Sequence, residues 1–171
     1  MNRMSDYMAA AINAWATERP ELDASPMEVT GRLLRAARII EPKLDAAAAT
    51  VGLSHKGDLD VLAALRRIGP PHERTPSWLA TSVQLTTGGM TNRLDRLERA
   101  GLVERRPDPS DRRGVLVRLT DKGKLIADDA FELVLTAQAK ILAEMSTDAR
   151  QTLAKSLESL LLILGDVDPH S

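Results

Sequence analysis

Apolar residues recur along this chain at two spacings, and the change from one to the other marks out its elements. Met90, Leu94 and Leu97 fall on one stripe at helical spacing, with Gly88, Asn92, Asp95, Arg96 and Arg99 on the opposite face. Upstream, Thr75 and Pro76 form a helix-start signal, a capping hydroxyl before a proline whose missing N–H costs nothing in the first turn. The spacing predicts a short helix from there to about Ser82, a polar turn over Val83 to Thr86, and a second helix from Thr87 with Gly101 as its C-cap. Beyond it, Leu102 to Arg106 and Val115 to Leu119 alternate or cluster apolar residues as short strands do. The intervening PDPSDRRG holds two prolines and Gly114, which predicts a projecting turn that presents Arg112 and Arg113. Two short helices followed by a β wing form a winged helix-turn-helix, a device for gripping duplex DNA.

Longer helical patterns flank this reader. They cover residues 5–18, then 25 to about 50 with a kink at Pro42, then 55–68; on the far side they cover 121 to about 145 and 148–164. The last carries Leu153, Leu157, Leu160, Leu161 and Leu164 on a broad apolar stripe. More apolar stripe exists than a small reader needs. The expected fold is mostly α with a small β wing: N-terminal helices over 1–54 for dimerisation and a possible ligand site, a winged helix-turn-helix over 55–120, and C-terminal dimerisation helices over 121–171. A homodimer that interleaves these helices would space two readers about 34 Å apart, one turn of DNA. Intramolecular packing in a monomer is the alternative.

Charge sharpens the picture. The chain is close to neutral, with a formal net charge of −1, yet residues 86–119 hold eight arginines against five acids. Positive charge is concentrated where the fold would meet phosphates, so binding should weaken steeply with salt. The residues expected at DNA are Thr87, Gly88, Gly89, Thr91, Asn92, Arg96, Arg99, Asp111, Arg112 and Arg113, with Asn92 and Arg96 as base-edge readers. Asp95 and Arg99, four apart, are placed to pair. Gly88 and Gly89 either clear the helix start for a phosphate or ease a tight turn.

Other chemistry is sparse. There are no cysteines, which excludes disulfides and thiol-based oxidant sensing. His55, His72 and His170 are scattered without metal-site spacing and read as loop or surface residues. No nucleophile motif, phosphate loop or paired-carboxylate arrangement stands out, so neither an enzyme nor a bound cofactor is expected. The N-terminus lacks the apolar run of a signal peptide, and Leu160 to Leu164 is far too short to span a bilayer, which predicts a cytoplasmic protein without membrane association.

The run from Thr75 to Thr120 resembles the DNA-binding core of the MarR family of bacterial transcription regulators. Asp111, Arg113, Val117, Leu119 and Thr120 fit that family's wing pattern position by position. The resemblance implies that Arg113 enters the minor groove and Asp111 orients it, with Arg112 as a second candidate. It also implies a repressor released by a small, often anionic aromatic ligand. WATERPELDASPMEVTGRLLR, DLDVLAALRRIGPP and TNRLDRLERAGL are similar to the urate-responsive branch, which implies a ligand site at Trp15, Asp60 and Arg93. In that reading Trp15 stacks on a planar anion such as a purine, Arg93 pairs with its charge, and Asp60 is displaced by repulsion. Ile68 departs from the branch, where a polar residue is common. From the residues alone, Trp15 could instead staple a helix, Asp60 favour a helix start, and Arg93 touch a phosphate. Two other functions compete with the regulator: a helical protein-interaction module, and an architectural DNA-binding protein without a ligand.

Overall fold

The computed structural model describes residues 5–167; His170 lies outside them. The chain divides into two compact units between Lys43 and Leu44. In the first, helix α1 (Tyr7–Glu18) starts at Asp6, whose Oδ1 accepts from the Ala9 N–H at 3.0 Å and whose Oδ2 accepts from Arg32 Nε at 2.9 Å. Those two bonds, the arginine's first, hold the Asp6 carboxyl below its usual range. Helix α2 (Thr30–Ala49) runs on through Pro42. The pattern predicted one helix from residue 25, whereas Ser25–Glu28 forms a separate 3-10 turn. Asp23 explains this start: its carboxylate accepts both the Ser25 N–H and hydroxyl, and Pro26 follows at once.

The second unit contains the remaining elements. Helix α3 (Lys56–Arg67) buries Leu59, Val61, Leu62 and Leu65, each at 2% exposure or less. Helices α4 (Pro76–Ser82) and α5 (Thr87–Arg99) follow, capped by Thr75 and Thr86, whose hydroxyls accept from the Trp78 and Gly89 N–H groups. Strands β2 (Val103–Asp108) and β3 (Asp111–Leu119) form an antiparallel hairpin, with Val103 opposite Leu119 and Pro107 opposite Val115. A two-residue strand β1 (Glu73–Arg74) pairs with β3 on its other edge, giving the order β1-β3-β2. Helix α6 (Asp121–Ile141) leaves the sheet and packs on α3, and α7 (Thr147–Ile163) follows after a short turn.

Two readings of the sequence change here. The wing strands are longer than expected, because the predicted projecting loop is itself strand down to Pro109 and Ser110. The Asp108 carboxylate accepts the Ser110 N–H at 2.8 Å and its hydroxyl at 2.6 Å, closing the chain tightly. Gly114 permits that closure, since a Cβ there would stand 2.8 Å from Asp108 Cβ. His72 is not a surface residue: it is 7% exposed, with Nδ1 3.2 Å from the Leu65 carbonyl oxygen. It caps the end of α3 by side chain, while its own carbonyl accepts from the Leu119 N–H at 3.0 Å.

Leu59, Leu62, Leu65, Leu79, Met90, Leu94, Val117 and Leu119 make the core under this arrangement, so the faces of α3, α4, α5 and the sheet are mutually fixed. No helix among the described residues is long and apolar enough to cross a membrane. Leu62→Ala should lower the unfolding free energy by about 2–5 kcal/mol, read by urea denaturation; an effect below about 1 kcal/mol would mean that this site collapses freely.

Candidate nucleic-acid interface

Helix α5 presents two chemically different faces. Met90, Leu94 and Leu97 are buried, while Thr87, Gly88, Thr91, Asn92 and Arg99 are exposed. Gly89 is half-buried at the same end of the helix. Neither glycine has a left-handed φ, so no tight turn demands them. A Cβ at Gly88 would meet nothing within 4 Å, which leaves the first turn open to close backbone approach. The Thr91 hydroxyl donates to the Thr87 carbonyl at 3.0 Å, as a threonine facing solvent on a helix does.

On the flank of that face, Arg93 and Arg96 turn towards α3. The Asp58 carboxylate is 4% exposed, and its Oδ1 accepts from Arg96 Nη2 at 2.7 Å and lies 3.7 Å from Arg93 Nε. Arg93 Nη1 also donates to the Gly57 carbonyl at 2.7 Å. Gly57 makes room for it, because a Cβ there would stand 2.7 Å from Arg93 Nη2. The Nε atoms of both arginines are buried without a hydrogen-bond acceptor. Two guanidinium groups therefore share one carboxylate, a local excess of positive charge at the junction of α3 and the recognition helix.

The acid beside Arg93 is thus Asp58 and not Asp60. Asp60, two residues along α3, accepts from Lys56 Nζ at 2.6 and 2.8 Å in an i,i+4 pair. Asp58 rather than Asp60 shares the apolar stripe of α3, at i, i+3, i+4 and i+7 with Val61, Leu62 and Leu65. That spacing was the available signal for it. Arg96, expected to read bases, spends one of its nitrogens on Asp58 and keeps 36% of its side chain exposed.

The other flank of α5 is tied to the wing. Arg105 Nη2 donates to Asp95 at 2.6 Å, its Nη1 donates to Glu98 at 2.5 Å, and its backbone N–H donates to Glu98 at 3.0 Å. Burial would lower the Arg105 pKa, but the bonds to Asp95 and Glu98 outweigh it and raise it above the ordinary arginine value. Asp95 was expected to pair with Arg99; Arg99 Nε instead donates to the Asp95 carbonyl at 3.1 Å, which leaves the Asp95 carboxylate for the wing. Nothing local in the sequence announces this clamp, since its partners lie 7 and 10 residues apart across a turn.

At the wing tip, Asp111, Arg112 and Arg113 are all exposed. Asp111 Oδ1 accepts the Arg113 backbone N–H at 2.9 Å, so it shapes the strand that carries this arginine. Trp15 stands on α1, in the other unit, where it is 50% exposed.

Known proteins match this chain in sequence and in fold. The sequence model of the MarR family covers residues 51–114. The HTH-type transcriptional regulator PecS of Dickeya dadantii is 35% identical over 169 residues, 98% of this chain and 97% of that protein. The chain belongs to the MarR family. The multiple antibiotic resistance protein MarR of Escherichia coli is 45% identical over 60 residues, 35% of this chain and 42% of its own. A MarR family regulator from Streptomyces coelicolor, solved in complex with DNA, superposes with a TM-score of 0.74 at 25% identity, over 85% of this chain and 88% of that one. A mutant MarR from E. coli, complexed with operator DNA, gives 0.70 at 27% identity over 92% and 99%. The protein is thus a DNA-binding transcriptional regulator with a MarR-type winged helix-turn-helix, and its similarity to PecS supports a place on the PecS-like branch of the family.

Two measurements bear on this geometry. Asp58→Ala should cost about 3–5 kcal/mol in denaturation, because it strands two partly buried guanidinium groups; a loss under 1 kcal/mol would mean the arginines simply swing into solvent. The Asp108 carboxyl is held below its usual 3.8 by the Ser110 hydroxyl and then the Ser110 N–H. Its contribution to the wing turn is present above that usual value and fades only as pH falls through the lowered one. The Ser110 amide resonance should therefore titrate below 3.8; a midpoint at or above it would remove the turn bond.

Proposed function

We propose that this MarR-family regulator is a repressor that binds a pseudo-palindromic operator as a homodimer and releases it when a small anionic aromatic or purine ligand binds. The observation that carries the DNA half of this reading is the outer face of α5 joined to the wing. Thr87, Gly88, Gly89, Thr91, Asn92 and Arg99 would lie along the major groove, with Asn92 reading base edges. Arg112 and Arg113, with Asp111 shaping their strand, would enter the neighbouring minor groove. Arg96 contributes through the part of its guanidinium not engaged by Asp58. We assign DNA reading to residues 55–120 and dimerisation to the helices of 1–54 and 121–171.

Support for a homodimer comes from α7, none of whose residues is buried. Leu161 is 46% exposed, Leu162 58% and Ile163 81%, a face that calls for another apolar surface. Support for ligand response comes from the crowded junction of α3 and α5. An anion would be drawn to the two guanidinium groups that share Asp58, and its charge would oppose the Asp58 and Asp60 carboxylates. Arg93 is the natural counter-ion for it, Asp60 a gatekeeper paired with Lys56, and Trp15 takes the stacking role on family resemblance. Release of the Arg93 and Arg96 contacts would free α5 to move, which couples the ligand to the DNA-reading face. Localisation in the cytoplasm follows from this function.

The deciding experiment is a salt series of binding to duplex DNA from the gene's own upstream region, with and without urate. Saturable binding should fall steeply with salt, and Arg113→Ala should weaken it while reducing the magnitude of the salt slope by about 1. Urate should lower affinity in the parent protein and not in Trp15→Ala. Salt-insensitive association would favour a protein-interaction module; DNA binding that ignores urate would keep the regulator and leave the purine out.

A further inference from the structure

Of the two guanidinium groups that share Asp58, one is turned wholly inward and the other keeps a free edge. Arg93 has 19% of its side chain exposed and spends Nη1 on the Gly57 carbonyl at 2.7 Å. Arg96 keeps 36% exposed, its Nη2 donates to Asp58 Oδ1 at 2.7 Å, and its Nε, on the same edge of the group, is buried. Among the described residues, no hydrogen bond engages Arg96 Nη1. The donors left to the exposed part of this side chain are therefore Nη1 and the second hydrogen of Nη2, a planar fork aimed away from the carboxylate.

That fork has a specific match in duplex DNA. Guanine alone presents two acceptors side by side in the major groove, N7 and O6, and a paired set of arginine N–H groups meets both. Arg96 follows the exposed Asn92 by one helical turn, about 40° around α5, so it stands on the margin of the same outer face. Asp58 cannot reach DNA, because its side chain is 4% exposed. Its effect is to remove freedom. An untethered arginine on a helix surface samples many rotamers and meets phosphate as readily as a base. Held by a carboxylate on the stripe that buries Leu62 and Leu65, the Arg96 fork is referred to the core.

We propose that Arg96 reads a guanine of the operator and that Asp58 is the positioning residue that fixes its fork for this task. The assignment rests on the reading of α5 as the helix that lies in the major groove. It adds to that reading a base identity and a residue on α3 that sets it without touching DNA.

Duplexes with a randomised segment would be selected with the full-length parent protein and with Arg96→Lys, Asp58→Asn and Asn92→Ala, and the bound pools sequenced. The parent pool should carry a guanine favoured at least roughly fivefold over the other bases at one position. Arg96→Lys keeps the charge and removes the fork, whereas Asp58→Asn keeps an acceptor and frees the arm. Each should erase that one preference and leave the others. Asp58→Asn should also steepen the salt slope on random-sequence duplex by about 1, as the released cation reaches phosphate. A measurement on the parent checks the positioning without that variant: the Arg96 Nη hydrogens, assigned by their loss in Arg96→Lys, should give separate, slowly exchanging signals in the free protein. A parent pool without the guanine, a preference that survives either substitution, erosion of every position alike, or averaged Arg96 signals would each overturn the proposal. A pool unchanged by Asn92→Ala would instead remove α5 from the groove and overturn the underlying reading, a result distinct from a failure confined to Arg96 and Asp58.

Discussion

The recognition helix depends on one buried carboxylate. Asp58 holds Arg96 at 2.7 Å and Arg93 at 3.7 Å, and nothing else acidic on α3 does so. Such an arrangement is a poor device for stability alone, since well-packed apolar residues of similar volume commonly do as well or better. Its value is geometric. The carboxylate sits at the start of α3, on the same stripe as Leu62 and Leu65, whose burial locks that helix into the core, so the position of α5 is referred to the core of the unit. Both buried Nε groups remain unpaired, and one carboxylate faces two cations. The junction is therefore held while staying electrostatically unsaturated, which is the condition for a charged ligand to act on it.

The same logic sorts the arginines of residues 86–119. Counting charge along the sequence treats all eight as available to phosphate, but Arg93, Arg96 and Arg105 are engaged in building the reader itself. Arg99, Arg112 and Arg113 remain outward. Arg105 joins β2 to Asp95 and Glu98, so the wing and α5 are clamped by side chains as well as by the chain between them. A reader that approaches both grooves needs this, because a wing free to swing would lose in orientational freedom what its arginines gain from phosphates.

The helices were legible because their information is local: the stripe of Met90, Leu94 and Leu97 and the caps at Thr75 and Thr86 need only near neighbours. The features that escaped are those defined by distant partners. Strand β1 is two residues long and exists through its pairing of Glu73 with Arg118, 45 positions along the chain. The Arg105 clamp and the burial of His72 depend on the sheet in the same way. Asp58 could have been found, since its place on the α3 stripe is written in the spacing; Asp60, which the family resemblance singles out for a ligand, pairs with Lys56 on its own helix. Of the residues expected at DNA, the structure shows where they stand, and the faces they share are those the 3.6-residue period assigns, except that Arg96 leans inward.

Helix α7 raises a final physical point. A 17-residue helix draws most of its stability from the apolar face it buries, and α7 buries none of its residues. On α6, Leu125, Phe131 and Leu135 are likewise about half exposed or more. Yet the sequence spends a run of five consecutive aliphatic residues, Leu160 to Leu164, on this segment. In water such a surface is costly, at about 25 cal/mol for each Å² of apolar area left uncovered. Covering it with the same surface of a second chain would be the symmetric solution, and in the proposed homodimer it would place two recognition helices under one shared support. In that proposed dimer, a signal that shifts α5 in one chain would bear on the spacing of both, and a modest change at the α3–α5 junction would be read as loss of grip on the proposed two-fold operator.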